Sequence, residues 1–430
     1  MIVLFFIGIF VIGIETGVAS FEKTYGGTND DGGFSVQQIL DGGYIIAGGT
    51  SFYGSGEADV YLIKVDYTGA TQWTKTYGGT NDDGGVAVQQ TSDDGYIIAG
   101  YTESYGVGGS DVYLIKVDNT GATQWTKTYG GMNDDFGYSV QQTSDGGYII
   151  AGQTDPLGTG INDVYLIKVD STGATQWIKT YGGTNYDGWG YPVQQTSDDG
   201  YIIAGVTSSY GAGGVDVYLL KVENTGATEW SRTYGGTNDD CGYSVQQTSD
   251  GGYIIVGGTY SYGAGWSDVY LLKVDNTGTT QWSKTYGGTN YDAGYSVQQT
   301  SDDGYIIAGV TYSYGAGGSD VYLLKVDNTG AISPTSTARD NLDNIIAGPM
   351  PFSLSSGKKF RFEKLTVKAT VKIYTIVGEL VRTLQETDGD GRLDWDLKND
   401  DGETIVQGLY ICEITNDKGE RKFLKIAIVE

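Results

Sequence analysis

Histidine is absent from all 430 residues, and only 2 Cys, 3 Met and 5 Pro are present. Without an imidazole there is no Ser-His-Asp or Cys-His catalysis, no imidazole metal centre and no proton switch near neutral pH. The two thiols, Cys241 and Cys412, fall in what read as separate domains, so they define no disulfide framework. Basic side chains are scarce as well, 26 against 53 acidic, for a formal charge of −27. That charge opposes a phosphate backbone and argues against nucleic acid as a partner. What is abundant is Gly (70) and Tyr (35). Glycine-rich chains stay disordered when aromatic and β-branched residues are few, and here they are many. The composition predicts a folded, turn-rich, all-β protein.

Residues 2–14 form one apolar run, followed by the small residues Val18, Ala19 and Ser20. The run is short for a membrane span and suits the apolar part of a signal peptide over residues 1–20, although no Lys or Arg precedes it. An uncleaved anchor is the alternative. Either reading places the rest of the chain outside the cytoplasm, secreted or at the cell surface.

An internal period dominates the chain after this run. Thr-Tyr-Gly-Gly recurs with its tyrosine at Tyr25, Tyr77, Tyr129, Tyr181, Tyr234 and Tyr286, at spacings of 52, 52, 52, 53 and 52. Each unit carries four strand-like runs; in the second they are Val86–Thr91, Tyr96–Thr102, Asp111–Asp118 and Thr123–Tyr129. Ser92-Asp93-Asp94-Gly95 offers Asx side chains and a glycine for positive φ between the first two runs, and Asn119-Thr120-Gly121 does so between the last two. Four short antiparallel strands in tandem units of about 50 residues indicate β-propeller blades.

Five units end on a strand bearing Trp73, Trp125, Trp177, Trp230 or Trp282, whereas the sixth reaches Pro334 where the next Trp would fall. Phe21-Glu22-Lys23-Thr24-Tyr25, ahead of the first unit, matches that strand with Phe21 in the Trp place. The expectation is a six-bladed propeller over residues 21–334, its last blade completed by this N-terminal closing strand. The ordered motifs Thr-Tyr-Gly-Gly-Thr-Asn-Asp-Asp, Gly-Tyr-Ile-Ile-Ala-Gly-x-Thr and Asp-Val-Tyr-Leu-Ile-Lys-Val-Asp resemble the tandem β-propeller repeats of exported bacterial and archaeal surface proteins. That resemblance implies a propeller in an extracellular setting and carries no single activity.

A polar linker, residues 335–344, leads to a module over residues 345–430. Its strand candidates are Val367–Ile376, Glu379–Leu384, Arg392–Leu397, Gly408–Ile414 and Arg421–Val429, which fit a small Ig-like β-sandwich. Pro349-Met350-Pro351-Phe352, Val371-Lys372-Ile373-Tyr374, the run from Gly378 to Leu384, Trp395-Asp396, Asp400-Asp401-Gly402 and Gly408-Leu409-Tyr410 occur in that order. They resemble the Ig-like domain of flagellar hook-capping proteins and the C-terminal sorting domains of the type IX secretion system. The resemblance implies a module for sorting or attachment through secretion or cell-envelope machinery. Met350 and Leu397 depart from the family's usual Pro-Asn-Pro-Phe and Trp-Asp-Gly.

Residues 339–430 hold 14 basic and 16 acidic side chains, leaving 12 basic and 37 acidic before them. The charge therefore belongs to the repeats. All 12 of those basic residues are repeat positions, among them Lys64, Lys116, Lys168, Lys221, Lys273 and Lys325 on the third strand, a pattern of structure or solubility rather than chemistry.

The fourth-to-first and second-to-third connections of a propeller emerge on one face, here as the TYGGTNDD and SYGAGGS segments. Their acidic turns, including Asp30, Asp31, Asp82, Asp83, Asp134 and Asp135, offer hard oxygens that suit extracellular calcium, although Asx residues are also good turn formers. Paired carboxylates could serve a carbohydrate-active enzyme, but six near-identical copies and a single propeller arginine, Arg232, weigh against one. Departures from the repeat carry more weight. Trp189 and Trp266 break the Trp pattern in loops of consecutive units, with Cys241 between them in sequence. With Tyr210, Tyr262, Asp239 and Asp240 they form the candidate ligand site. The sequence reads as an exported, non-catalytic binding protein for an extracellular glycan or protein, with a structural or adhesive envelope protein as the alternative.

Overall fold

The computed structural model describes residues 21–155, 161–188, 192–332, 342, 345–348, 352–354, 359–387, 389 and 391–430. Contacts divide the chain into two compact units, residues 1–331 and 332–430. Residues 1–20, Leu157, Trp189 and Pro334 lie outside the described residues, so the leader and the Trp189 loop do too.

The first unit is a row of antiparallel sheets, one per repeat, each meandering in the order first, second, third, fourth strand. In sheet 2 these are Asp83–Gln90, Tyr96–Thr102, Asp111–Val117 and Thr123–Tyr129, close to the runs expected from sequence. The single-residue insertion in the fourth repeat splits the first strand of sheet 4 into Asp187–Gly188 and Val193–Gln195. Side chains alternate across each sheet. Ile45, Ala47, Val60 and Leu62 of sheet 1 face forward and meet Val88, Tyr96, Ile98, Tyr113 and Ile115 of sheet 2 in one core. The same residue types build four further junctions, so the second and third strands are covered on both faces.

Polar ties repeat at every junction. Gln90 N–H donates to Gln37 Oε1 at 2.6 Å, and Gln142, Gln195, Gln247 and Gln299 donate to the preceding sheet's glutamine at the same distance. Trp73, Trp125, Trp177, Trp230 and Trp282 set their rings edge-on to Tyr96, Tyr148, Tyr201, Tyr253 and Tyr305 of the next sheet. The Thr-Tyr-Gly-Gly tyrosine reaches across too, as Tyr77 Oη–H donates to Gly121 O at 2.7 Å.

The turns correct one expectation. In the Ser-Asp-Asp-Gly turns the left-handed residue is the second aspartate, Asp94 (φ 63°), Asp199 (65°) and Asp303 (60°), not the glycine. Gly95 is required for a different reason, since a Cβ there would overlap the Val117 carbonyl and the Lys116 ammonium. Gly121 does take positive φ, 77°.

The closing strand is also corrected. Sheet 6 has three strands, Asp292–Gln299, Tyr305–Thr311 and Asp320–Val326, and Phe21–Tyr25 forms no ladder with the last of them. The segment is instead held by sheet 1. Phe21 stands edge-on to Tyr44 at 6.0 Å, and Tyr25 Oη–H donates to Gly69 O at 2.8 Å. These are the contacts a preceding sheet's Trp strand makes, but among the described residues sheets 6 and 1 share no core and Phe21–Tyr25 belongs to no strand.

The second unit has a three-stranded sheet and a five-stranded one. The three strands are Ile346–Gly348, Phe360–Glu363 and Arg392–Trp395; Phe352–Ser353, Thr370–Thr375, Leu380–Gln385, Gly408–Thr415 and Arg421–Val429 make the other. Both contribute to one apolar core around the fully buried Trp395, with Phe360, Phe362, Val371, Cys412 and Ile426. Burial pushes the Cys412 thiol up to about 12, and both cysteines are free.

Candidate functional site

The two loop families expected to share a face do meet, and hydrogen bonds fix them to each other. Asn81 Nδ2–H donates to Glu103 O at 2.9 Å, and Tyr105 Oη–H to Gly78 O at 2.7 Å. Tyr210 and Tyr262, two of the sequence-derived candidates, make this same bond to Gly182 O and Gly235 O. Their rings also lean on Tyr218 and Tyr270. They are framework residues with one edge in solvent.

The acidic turns are framework as well. Asp83 Oδ2 accepts from Gly79 N–H at 2.7 Å and from Ser104 Oγ–H at 2.6 Å, and Asp240 Oδ2 accepts from Gly236 and Ser261 in the same way. Asp31 and Asp135 accept from Gly27 and Gly131. Of the outer row, Asp134 Oδ1 accepts from Ser110 N–H and Asp239 Oδ1 from Val215 N–H. Asp30 and Asp82 bind the chain through their own carbonyls, to Ser51 and Glu103 N–H. Among the described residues no group of three or more Cys, Asp or Glu is arranged to hold a metal ion. One oxygen of each of Asp31, Asp83, Asp134 and Asp135 thus serves as an acceptor that shapes its loop.

A second row of acids, at the start of each third strand, carries no mark of its own in the sequence. Asp59 Oδ2 accepts from Ser55 and Gly56 N–H, and Asp59 and Asp83 flank Gly78, where a Cβ would strike both carboxylates. The pairing recurs as Asp111 with Asp135, Asp216 with Asp240 and Asp268 with Asp292, all buried, and as Asp163 with Asp187. Burial, then the partner's charge, raises Asp111, Asp163 and Asp216, with Asp163 pushed up to about 6. The neighbouring carboxylate opposes ionisation at Asp111, Asp163 and Asp216 and adds to the effect of burial there.

The sign of the consequence is fixed. A folded-state value above the unfolded one, about 3.9, means that the native protein holds extra protons between about pH 4 and 6. Stability contributed there is full below about pH 4 and falls as pH rises through 6. The repeat unit should therefore melt higher at pH 5 than at pH 7, and Asp163→Asn should flatten that slope. A melting point that rises steadily from pH 5 to 7 would contradict the paired-acid reading.

Two junctions depart from the repeat, and one of them gathers further aromatic residues. In Asn-Asp-Asp turns the middle residue faces a glycine of the preceding loop: Cβ atoms at Gly109 and Gly214 would meet Asp134 Oδ1 and Asp239 Oδ1. Where that aspartate is Tyr186 the facing residue is Ile161, and where it is Tyr291 the facing residue is Trp266. Ser267 bridges Tyr291, which sets Trp266 next to that tyrosine along the chain. Tyr291 also lies between Tyr260 and Tyr312, with ring centroids 6.4 and 6.0 Å away. The positions of Tyr260 and Tyr312 are Ser51, Glu103, Asp155 and Ser208 in the other repeats. Trp266 is 80% exposed, and about half of each of the Tyr260 and Tyr312 rings is open to water. Trp266 was legible as a broken pattern; Tyr260, Tyr291 and Tyr312 needed a position-by-position comparison of the six loops.

A cleft of about 620 Å³ at the opposite end of the sheet 3–sheet 4 junction, lined by Ser144, Asp145, Lys168, Trp177 and Tyr201, is a space between repeat elements. A smaller one, lined by the equivalent residues, occurs between sheets 5 and 6.

No family model matches the sequence. The chain is 26% identical over 175 residues to the regulatory protein FlaEY of Caulobacter vibrioides, a match covering 35% of this chain and 18% of that protein. Among solved structures, PorZ, a bacterial surface component of the type IX secretion system of Porphyromonas gingivalis, aligns with a TM-score of 0.50 at 12% identity. The alignment covers 96% of this chain and 61% of PorZ, so the chain spans less than two thirds of that protein. Sqt1 of Chaetomium thermophilum aligns at 0.41 with 13% identity, covering 92% of this chain and 95% of Sqt1. The repeated four-stranded antiparallel sheets and the PorZ likeness define a protein of β-propeller type. Among the described residues no helix is long and apolar enough to cross a membrane.

Proposed function

We propose that this chain is an exported, non-catalytic binding protein of the cell surface or the medium. Its six sheets serve as the blades of a propeller, and its second unit is an Ig-like module that sorts or attaches it to secretion or envelope machinery. One observation carries the binding role. The loops are a hydrogen-bonded frame, and four loop positions that depart from the repeat towards large aromatic rings, Tyr260, Trp266, Tyr291 and Tyr312, fall at the junction of sheets 5 and 6. The carboxylates nearby are used as internal acceptors, which favours binding over acid–base chemistry.

The resemblance of the second unit's motifs to sorting domains supports the attachment role. Surface proteolysis of intact host cells, with mass spectrometry of the released peptides, tests the proposal. Peptides from the loop face and a mature N-terminus near Ser20 are expected. Recovery of the chain only from the cytoplasm would overturn it.

A further inference from the structure

We infer that the aromatic cluster between sheets 5 and 6 is a binding platform for a neutral polysaccharide. The inference rests on the binding role proposed above and assigns it a place and a ligand class. Four loop positions from three separate loops become aromatic here: Tyr260, Trp266, Tyr291 and Tyr312. Random change in surface loops has no reason to gather them at one junction, where Tyr291 has Tyr260 and Tyr312 as ring neighbours and bridges Ser267 beside Trp266, and stability does not require an indole that is 80% exposed.

The platform is held ready. Tyr260 N–H donates to Asp239 O and Tyr312 N–H to Tyr291 O. Asn238 and Asn290 side chains donate to the Tyr260 and Tyr312 carbonyls, both at 2.9 Å. Little ordering remains to be done when a ligand arrives.

Charge decides the ligand class. Basic residues of the repeats sit on third and fourth strands, none in these loops, while exposed Asp239 flanks the cluster. A uronate or sulfated chain, like a phosphate, would meet repulsion with no counter-cation. A neutral sugar has apolar C–H faces that lie on aromatic rings and hydroxyls that donate to Asp239 or to tyrosine hydroxyls. Rings about 6 Å apart on both sides of Tyr291 offer successive contacts to a chain of sugars rather than one deep pocket. Aromatic anchors also suit protein partners, but the strong local acidity without a basic rim favours the uncharged ligand.

Affinity electrophoresis of the full chain in gels containing laminarin, glucomannan, galactomannan, xylan or polygalacturonate tests the idea. At least one neutral polysaccharide should retard the protein and polygalacturonate should not. Trp266→Ala and, separately, Tyr260→Ser, which restores the residue of repeats 1 and 4, should each weaken retardation at least tenfold. Val107→Ala, in the exposed second-to-third loop of sheet 2, should leave it unchanged, and unchanged melting points will show that the variants fold.

Retardation by polygalacturonate alone, by nothing, or equally by wild type and Trp266→Ala would overturn the inference. Chemical cross-linking on intact cells separates this from the broader proposal. A surface-exposed chain that captures a protein through the same loops, with no retardation by any gel, defeats the glycan reading and leaves the binding role standing.

Discussion

Closure of sheet 6 onto sheet 1 would bury Leu323, and on that arrangement Leu323→Asp is expected to destabilise the repeat unit by about 3–5 kcal/mol, as much as Leu271→Asp does one repeat earlier. The two leucines hold the same place in the third strand, yet Leu271 is fully buried and Leu323 is 66% exposed. Val321 is 85% exposed where its counterparts Val60, Val112, Val164, Val217 and Val269 are buried. At the other end Val36 is open, although Val88, Val140, Val193, Val245 and Val297 are covered.

Sheet 6 thus presents the forward half of the junction seen five times within the chain, and sheet 1 presents the backward half. The polar ties are halved in the same way. By the glutamine pattern, Gln38 N–H lacks the acceptor that Gln298 Oε1 would supply. Phe21 and Tyr25 already stand where the fourth strand of a sheet before sheet 1 would place its Trp and Tyr. Sheet 6 lacks that strand. Closing the seam would bury both faces and pair the open edge, each favourable.

Urea unfolding of Leu323→Asp beside Leu271→Asp reads the outcome. A cost within experimental error for Leu323→Asp, with a large one for Leu271→Asp, would show an array that stays open. A cysteine pair at Val36 and Ser296, matched to the Val88–Ser35 contact of the first junction, adds a direct check. A disulfide within one chain supports closure, and one only between chains opposes it.

The parts of this fold that were legible in the sequence are those written in periods and turns. The 52-residue spacing, the four strands per unit and the Trp strand all follow from side-chain alternation and Asx-Gly turns, which are local properties. What sequence missed depends on neighbours. Asp94, rather than Gly95, takes the left-handed conformation, and Gly95 is needed because a carbonyl and an ammonium leave no room for a Cβ. Ile346–Gly348, Phe352–Ser353 and Phe360–Glu363 are too short to show a strand period and are strands because Trp395 and its core need covering. At the candidate site Trp266 stood out, with Trp189, as a break in the Trp pattern. Tyr291, which lies beside it, is one tyrosine among 35 until its place in the loop is compared with the aspartates of other repeats.

The repeated lysine is the clearest case of chemistry hidden by composition, and Lys168→Met is expected to cost about 2–3 kcal/mol. A lysine on every third strand reads as a feature of structure or of solubility. Instead Lys116, Lys168, Lys221 and Lys273 are almost wholly buried. Lys168 Nζ donates to Asp145 at 2.9 Å, to Val169 O at 3.1 Å and to Gln176 Oε1 at 3.0 Å. It ties the turn between the first two strands to the third and fourth. Methionine keeps the length and apolar stem of lysine, so the loss isolates the ammonium. The cost stays moderate because about half of the Asp145 side chain reaches water. Lys75→Met, on an exposed fourth-strand site, should change stability by less than about 0.5 kcal/mol. Burial raises the Asp145 carboxyl, but its bonds to Thr143, Lys168 and Gly147 outweigh that and hold it down to about 2. A folded value below the unfolded one gives stability that is present above about pH 4 and lost as pH falls through 2. The gap between wild type and Lys168→Met should therefore narrow from pH 4 towards pH 2. A gap independent of pH across that range would mean that packing of the stem, not the ion pair, holds the turn in place.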